Sequence, residues 1–322
     1  MQLTIDGIHH ITAIASDPQR NLDFYTQVLG LRLVKLTVNF DAPDTYHFYL
    51  SNGAGDPGTI LTFFPWSDAR RGLHGTAQAA KLALSIPSGA TGYWLDRLKS
   101  HGLTVSKPFQ RFDEEGLAFY DPDDLQIELL AGQAESEPGE SAWQGGPVPV
   151  EMAMRGFHSV TLYDDAFKAT AGLLGDVLGF HQTHQSDDRT RFEAPSDQPG
   201  RKIDLINQPG TPRGRMGAGI VHHVAWRAAD DAQQLAWREK LIDRGLEVTP
   251  VIDRQYFHSI YFREPGGVLF EIATDPPGFA IDEDVDCLGT SLKLPPRLES
   301  RRLEITQMLP ALQLPILCPD LA

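Results

Sequence analysis

Two pairs of adjacent histidines and one distant carboxylate are the residues of this chain that could do metal chemistry. His9 and His10 stand near the start of a run of β-branched residues, and His222 and His223 stand in a second run in the same way. Glu271 is set among apolar residues, where an ionised carboxylate is unfavourable unless it is paired or bound to a cation. Two histidines and one carboxylate can hold a divalent metal from one side, which leaves other positions open for exogenous molecules.

The elements that would carry these residues recur four times along the chain. Each recurrence has the pattern of a strand, a helix and three further strands, and the four begin near Gly7, Lys81, Gly156 and Gly219. The second recurrence includes a short predicted strand near Thr104. Two such βαβββ units placed side by side form a curved half-barrel around a cavity. The predicted fold class is therefore α+β, with four βαβββ modules paired into two curved, mixed-sheet half-barrel domains.

The length of 322 residues is sufficient for two domains. We assign the first pair of modules to residues 1–135 and the second pair to residues 154–280, with a linker rich in Gly, Glu, Ser and Pro at 136–153. Residues 281–322 form a C-terminal extension, in which 298–309 has the pattern of an amphipathic helix. We expect its apolar residues to pack on the body or on a second subunit: Leu303, Ile305, Met308 and Leu309.

Alignment of the four units produces two columns of residues that would face a cavity. The opening strands contribute His10, Lys81, Ser159 and His223. The closing strands contribute Thr62, Glu128, Asp204 and Glu271. Only the first and fourth units carry histidine, so their pairing predicts three ligands rather than four, because Thr62 cannot replace a carboxylate. The second and third units have no histidine in these columns, which indicates a site that has lost its ligands.

The residues beside the predicted ligands permit two interpretations. Because neighbouring strand residues point to opposite faces, His9 and His222 should not bind the same ion as His10 and His223. They either support the ligands from behind or serve the interface between units. His158 stands alone on its strand, and we interpret it as a structural, hydrogen-bonded residue.

Further cavity residues follow from the same alternation of strand faces. Thr12 lies two positions after His10 and should point the same way. Tyr261 lies on the strand that precedes the strand of Glu271, and its phenol could contact a bound substrate. Arg254 could balance anionic charge near the ion. The candidates for the cavity wall are Phe63, Phe64, Trp66 and Trp226.

Composition narrows the classes of partner. The formal net charge of -15 opposes contact with nucleic acid or an anionic membrane surface. The sequence has no apolar run long enough for a membrane span, and its first residues lack the pattern of a signal peptide. Its two cysteines, Cys287 and Cys318, offer no disulfide framework. We therefore expect a cytoplasmic protein without nucleic-acid or membrane partners.

Taken together, these motifs resemble the vicinal oxygen chelate superfamily, and within it the ring-cleaving dioxygenases that act on hydroquinones. The matching segments are residues 7–12, 24–25, 29–31, 221–225, 253–257, 261–271 and 294–296. The resemblance implies a mononuclear Fe(II) site made by His10, His223 and Glu271, with O2 as co-substrate and a small aromatic molecule as substrate. It also implies roles around the metal for five more residues: His9, Thr12, His222, Arg254 and Tyr261.

Several alternatives stay open at this point. The ligand set accepts Mn(II) as well as Fe(II), and without the resemblance a hydroquinone cannot be told from a catechol. A glyoxalase-type lyase or isomerase usually has four protein ligands, and a fosfomycin-type thiol transferase is usually a shorter chain. A metal-free protein that binds aromatic drugs would lack the ligand residues. The apolar tail predicts a homo-oligomer, either a dimer or a tetramer.

Overall fold

The four predicted units are present in the computed structural model, which describes residues 3–132 and 143–315. The first unit consists of β1 (Ile8–Ala15), α1 (Pro18–Asp23), β2 (Arg32–Asn39), β3 (Ala42–Ser51) and β4 (Ile60–Pro65). The second consists of β5 (Gln78–Ile86), α2 (Thr91–Ser100), β6 (Phe109–Arg111), β7 (Glu114–Tyr120) and β8 (Gln126–Ala131). The third consists of β9 (Phe157–Asp164), α3 (Phe167–Gly172), β10 (His181–Ser186), β11 (Arg189–Glu193) and β12 (Lys202–Asn207). The fourth consists of β13 (Val221–Ala228), α4 (Asp231–Asp243), β14 (Ile252–Asp253), β15 (Phe257–Arg263) and β16 (Leu269–Pro277).

Shorter elements join or follow these units. One turn of π-helix continues each of the first and third helices, at Phe24–Val28 and Leu173–Val177. Turns of 3₁₀-helix lie at Val150–Met152, Phe279–Ile281 and Val285–Cys287. The tail contains α5 (Pro296–Glu299) and α6 (Arg302–Met308). Among the described helices, none is both long and apolar enough to cross a bilayer.

The prediction of a strand near Thr104 is wrong. Ser106 donates one backbone hydrogen bond to the Ala118 carbonyl, but Thr104 itself lies outside the sheet. The edge ladder begins only at β6, after Pro108, which has no amide hydrogen to donate. The second unit therefore has its βαβββ order with this strand displaced by five residues.

Two mixed sheets of eight strands each confirm the predicted fold class. The first sheet has the order β14-β15-β16-β13-β1-β4-β3-β2, and the second has the order β10-β11-β12-β9-β5-β8-β7-β6. The first and fourth units therefore share one sheet, and the second and third share the other, as the histidine columns predicted. Each sheet takes strands from both sides of the predicted linker. The boundaries at 1–135, 136–153, 154–280 and 281–322 stay predictions, and residues 136–142 of the linker lie outside the described residues.

Strand register confirms the alignment of the two columns. In all four units the opening and closing strands run parallel, and the closing-column residue pairs with the residue two places after the opening-column one. The pairs are Thr12 with Thr62, Ala83 with Glu128, Thr161 with Asp204 and Ala225 with Glu271. The repeated units thus place equivalent residues at equivalent positions of both sheets.

Helix α4 supports the strand that carries Glu271. Asp230 caps the helix by accepting a hydrogen bond from the Gln233 amide. Trp237 and Leu241 are fully buried. The buried amide of Gln234 donates to the backbone carbonyls of His258 and Ile272, on the two neighbouring strands. The helix therefore fixes β15 and β16 by side-chain hydrogen bonds as well as by packing.

The tail prediction of packing on the body is confirmed for two of its four residues. Ile305 and Leu309, one helical turn apart, are buried against the body. Leu303 is 74% exposed and Met308 is 43% exposed, because both lie off the inner face of this short helix. Their contact with a second subunit stays a prediction. Residues 316–322, including Cys318, lie outside the described residues.

Gly219, at the entry to β13, offers a test of the packing between the sheets. Its φ is +82°, and a Cβ there would overlap the carbonyl oxygen of Asp123. Gly245 has almost the same φ, +81°, but nothing lies within 4 Å of its Cβ position. We predict that Gly245→Ala loses about 1 to 2 kcal/mol from backbone strain, and that Gly219→Ala loses about 1 to 3 kcal/mol more from overpacking. Equilibrium denaturant unfolding measures both, and equal losses would contradict the prediction.

Candidate metal centre

The structure brings His10, His223 and Glu271 together at one buried point, with one donor atom from each residue within 4.8 Å of the others. The two Nε2 atoms lie 3.2 Å apart. Oε2 of Glu271 lies 2.9 Å from the Nε2 of His223 and 3.4 Å from that of His10. Ligands about 2.1 Å from an ion and at right angles to one another are about 3.0 Å apart. The three separations therefore fit one face of an octahedral ion.

The charge and hydrogen bonding of Glu271 also fit a cation at this point. Burial alone would raise the pKa of its carboxyl, but the imidazoles of His10 and His223 hold it well below its ordinary value. Ser259 donates a hydrogen bond to Oε1. The contacts of Oε2 with the two imidazoles lack hydrogen-bond geometry, and no other group in the described chain donates to this fully buried atom. A buried carboxylate oxygen without a donor is what a metal ligand requires.

The histidines that precede the two ligands contact them from behind. Nδ1 of His9 lies 2.9 Å from Nδ1 of His10, and Nδ1 of His222 lies 2.8 Å from Nδ1 of His223. Burial lowers the pKa of His9, so its imidazole is neutral near pH 7. A histidine that binds a metal through Nε2 carries its proton on Nδ1. In the metal-bound state Nδ1 of His10 would therefore donate to Nδ1 of His9, which would fix the orientation of the ligand ring.

A cavity of about 250 Å³ opens beside the triad. Its wall is mostly aromatic and apolar, formed by Phe40, Tyr49, Phe64, Trp66, Phe257 and Leu269. An apolar cavity of about 150 Å³ suffices for benzene, so this one admits a single small aromatic molecule. The predicted wall residues Phe64 and Trp66 are confirmed. Phe63 and Trp226 are buried in the core instead, because they lie on the other face of their strands.

Three of the predicted residues around the metal line this cavity. Burial lowers the pKa of His222 to about 3, and His223 adds to the shift. Burial and the nearby Glu271 raise the pKa of Tyr261. Both groups are therefore uncharged near neutral pH. Arg254 lies over the Tyr261 ring, 5.6 Å from its centroid, and bonds Asp41 at 2.9 Å.

Thr12 and His9 do not reach the cavity, within the part of the chain that the structure describes. His9 is enclosed behind His10 and packs edge-on to Phe257. The Thr12 hydroxyl lies 2.8 Å from that of Thr62, which occupies the fourth corner. The Thr12 side chain thus contacts Thr62, the closing-strand residue of the first unit, and does not line the cavity. Their roles in a reaction stay predictions.

Sequence reasoning missed His47, Asn39 and Ser259. His47 and Asn39 line the cavity, and Ser259 holds Glu271. None of them belongs to an opening or closing column, so the internal repeat carried no signal for them. Ser259 could have been predicted, because it lies two positions before Tyr261 on the same strand and therefore on the same face.

In the second sheet, arginine and lysine side chains surround Glu128 and Asp204, the residues equivalent to Glu271. Arg111 donates to both oxygens of Glu128. Arg191 bridges Asp204 and Glu114, at 2.8 Å and 2.7 Å. His158 also bonds Glu114, at 2.7 Å, which agrees with its interpretation as a structural residue. The carboxylates of this sheet are therefore neutralised by side chains of the chain itself.

Fold and site together define a vicinal oxygen chelate protein: paired βαβββ units, with a cluster of two histidines and a glutamate on an inner face. Residues 7–129 and 156–272 match the Glyoxalase/Bleomycin resistance protein/Dioxygenase superfamily, and the chain belongs to that superfamily. The family resemblance is thus confirmed.

Relatives of known name cover almost the whole chain. It is 47% identical over 302 residues to MhqO of Bacillus subtilis, provisionally named a ring-cleaving dioxygenase, covering 94% of this chain and 95% of that protein. It is 32% identical over 311 residues to the chlorohydroquinone/hydroquinone 1,2-dioxygenase of Sphingobium indicum, with 94% and 95% covered. A crystal structure of a provisionally named Bacillus subtilis dioxygenase superposes with a TM-score of 0.92 at 45% identity, covering 97% of this chain and 99% of that one.

Loss of the hydroxyl of Ser259 should weaken metal binding. Ser259→Ala removes the side-chain hydrogen bond that Glu271 accepts from outside the triad among the described residues, and such partners of ligands are worth about 10- to 100-fold in affinity. Equilibrium dialysis with Fe(II) or Mn(II) under anaerobic conditions, followed by elemental analysis, measures the effect. Ser100→Ala, on an exposed helix end, is the matched control. Equal affinity of both variants would refute this role of Ser259.

The ion pairs of the second sheet predict the response of stability to acid. Burial alone would raise the pKa values of Glu114 and Asp204, but their cationic partners, which include Arg191, lower them. Such carboxyls stabilise the fold above the pKa of the unfolded chain, about 4, and this contribution is lost as pH falls through the lower folded-state value.

Arg191→Met is therefore expected to cost about 3 to 5 kcal/mol at pH 7, and the penalty should shrink as pH falls below about 4. Denaturant unfolding at several pH values checks this. Arg301→Met breaks an exposed pair with Glu304 and should have no measurable effect. A penalty for Arg191→Met that does not change with pH would contradict the prediction.

Proposed function

We propose that this protein is a metal-dependent ring-cleaving dioxygenase that inserts both atoms of O2 into a hydroquinone-type aromatic substrate. The observation that carries the proposal is the convergence of His10, His223 and Glu271 beside an aromatic-walled cavity. The names of the relatives supply the reaction class and the hydroquinone. The ring would be opened between a hydroxylated carbon and its neighbour, in the manner of extradiol enzymes.

The metal in this proposal is Fe(II), with Mn(II) as the alternative, held by His10, His223 and Glu271. When bound, it supplies Lewis acidity toward a substrate hydroxyl and a path for electrons to O2. His9 and His222 would fix the orientation of the two imidazole ligands through their Nδ1 contacts. Ser259 would do the same for the carboxylate.

The remaining residues would bind the ring and manage protons. Phe64, Trp66 and Phe257 enclose an aromatic ring and exclude water from it. His222 and Tyr261 are uncharged near neutral pH. If His223 binds the metal through Nε2, its Nδ1 donates to Nδ1 of His222, so Nε2 of His222 carries a proton and can donate a hydrogen bond to a substrate oxygen, as the hydroxyl of Tyr261 can. Arg254 is paired with Asp41 and would add hydrogen-bond donors near the ring, while the main positive charge for a developing phenolate would come from the bound metal.

A three-ligand centre favours this reaction over that of a glyoxalase-type lyase. The fourth corner is Thr62, whose hydroxyl is engaged with Thr12 and His47. Open positions on the ion would therefore remain for substrate and O2.

The proposal also includes a cytoplasmic homo-oligomer, dimer or tetramer, that acts on a small aromatic molecule rather than on nucleic acid or membranes. Exposed Leu303 and Met308 on the tail helix support self-association, and the net charge of -15 supports the choice of partner.

Oxygen uptake tests the proposal. Protein loaded anaerobically with Fe(II), and in parallel with Mn(II), should consume one O2 per hydroquinone in an oxygen electrode. His223→Ala and Glu271→Gln should lower the rate at least about a hundredfold, because they remove ligands rather than partners of ligands. His258→Ala, outside the cavity, is the control and should retain the rate.

Two results would overturn the proposal. The first is the absence of oxygen uptake by both metal forms with substituted hydroquinones and catechols. The second is full activity of Glu271→Gln.

A further inference from the structure

His47, on strand β3, is a polar side chain of the cavity that lies apart from the metal triad. Its imidazole stands between two aromatic rings, with centroids 4.1 Å from Tyr49 and 4.3 Å from Phe64. It has no hydrogen bond to the triad residues in the described chain. His47 is therefore a polar point of the cavity that is distinct from the triad. The other polar wall residues of the described chain are Asn39, Asp41, His222, Arg254 and Tyr261.

Thr62 holds His47 in this position. Its hydroxyl lies 2.9 Å from Nε2 of His47 and 2.8 Å from the hydroxyl of Thr12. Register places Thr62 at the position that Glu271 has in the fourth unit. The corner of the site that lacks a metal ligand is thus occupied by a residue that orients a cavity side chain.

The second ring nitrogen of His47 is available to a bound molecule. Nδ1 has no hydrogen-bond partner among the described residues, although His47 lines the cavity. Burial lowers the pKa of the imidazole well below its ordinary value, and His10 and His223 add to the shift. The ring is therefore neutral, so Nδ1 is either a donor or an acceptor according to the direction of the hydroxyl chain through Thr62 and Thr12.

A hydroquinone carries its two hydroxyls at opposite ends of the ring. If one hydroxyl lies at the triad, the other points away from it, into a part of the cavity whose wall is mostly aromatic. A buried hydroxyl without a hydrogen-bond partner is unfavourable. The chemistry of the substrate thus requires a second polar point, and His47 supplies one in either proton arrangement.

We propose that His47 determines specificity for a second, remote hydroxyl of the aromatic substrate, and that Thr62 is the residue that positions it. This inference rests on the proposed function for the identity of the substrate class. Its content is separate, because it concerns recognition of one hydroxyl and not the reaction with O2.

Anaerobic binding tests the inference without turnover. Isothermal titration of the metal-loaded protein with hydroquinone and with phenol compares ligands that differ by the remote hydroxyl. The wild type should bind hydroquinone about tenfold more tightly than phenol. In His47→Ala this ratio should fall to about one, with phenol affinity nearly unchanged.

Variants of Thr62 separate positioning from packing. Thr62→Val keeps the shape of the side chain but removes its hydroxyl, and should reduce the ratio about threefold. Thr62→Ser keeps the hydroxyl and should retain the wild-type ratio. His74→Ala removes a histidine outside the cavity and is the control. Thermal unfolding of every variant verifies that the fold is intact.

Each outcome decides the matter. A wild-type ratio in His47→Ala, or no preference for hydroquinone in the wild type, would overturn the inference, because another group would then bind the second hydroxyl or none would. Equal ratios in Thr62→Val and the wild type would overturn the positioning role alone. A protein that shows the predicted ratios but consumes no O2 would refute the proposed function and leave the role of His47 standing.

Discussion

The seam between β1 and β13 is the interaction on which the site depends. Its antiparallel register sets His10 opposite Ala225, and the parallel register of β13 with β16 sets Ala225 opposite Glu271. Two of the three triad residues therefore stand in one row across the sheet, with a methyl group between them, and His223 lies in the next row on the same face. A slip of one residue in either pairing would turn a triad residue to the opposite face. Backbone hydrogen bonding between distant parts of the chain thus decides whether a site exists.

The two sheets resolve the same electrostatic problem in different ways. Glu128 and Asp204 occupy the closing-column positions of the second sheet, and guanidinium groups neutralise them. Glu271 occupies that position in the first sheet, and its immediate partners are two imidazoles and a serine hydroxyl. Burial of a carboxylate requires compensating charge. The charge that arginine supplies in one sheet would come from a bound cation in the other, so the repeated fold carries one candidate metal centre and one ion-pair cluster.

The sequence was sufficient to predict the fold class, the pairing of units and the juxtaposition of His10, His223 and Glu271. Internal repetition made this possible, since aligning the four units shows which residues occupy equivalent positions on the strands. For residues outside the two columns the alignment gave no such information. His47 and Asn39 come from β3 and β2, at one edge of the first sheet, and their approach to the triad depends on the curvature of the sheet.

Errors of face and position had equally local causes. Trp226 follows the small residue Ala225 and so points to the opposite face, into the core, although its aromatic type suggested a cavity wall. Thr104 precedes Pro108, which delays the edge strand. In each case tertiary packing, rather than local propensity, decided the outcome.

The cavity is built to hold an uncharged ring. Burial shifts the pKa values of its ionisable wall residues toward the neutral form: downward for His47 and His222, upward for Tyr49 and Tyr261. Two further wall residues of the described chain, Arg254 and Asp41, form an ion pair with each other. A carboxylate ligand would therefore find little positive charge that is not engaged, whereas a neutral phenol would find donors and acceptors around an aromatic wall. Ionisation of such a phenol becomes favourable only next to a cation, and the triad is the place that the fold provides for one.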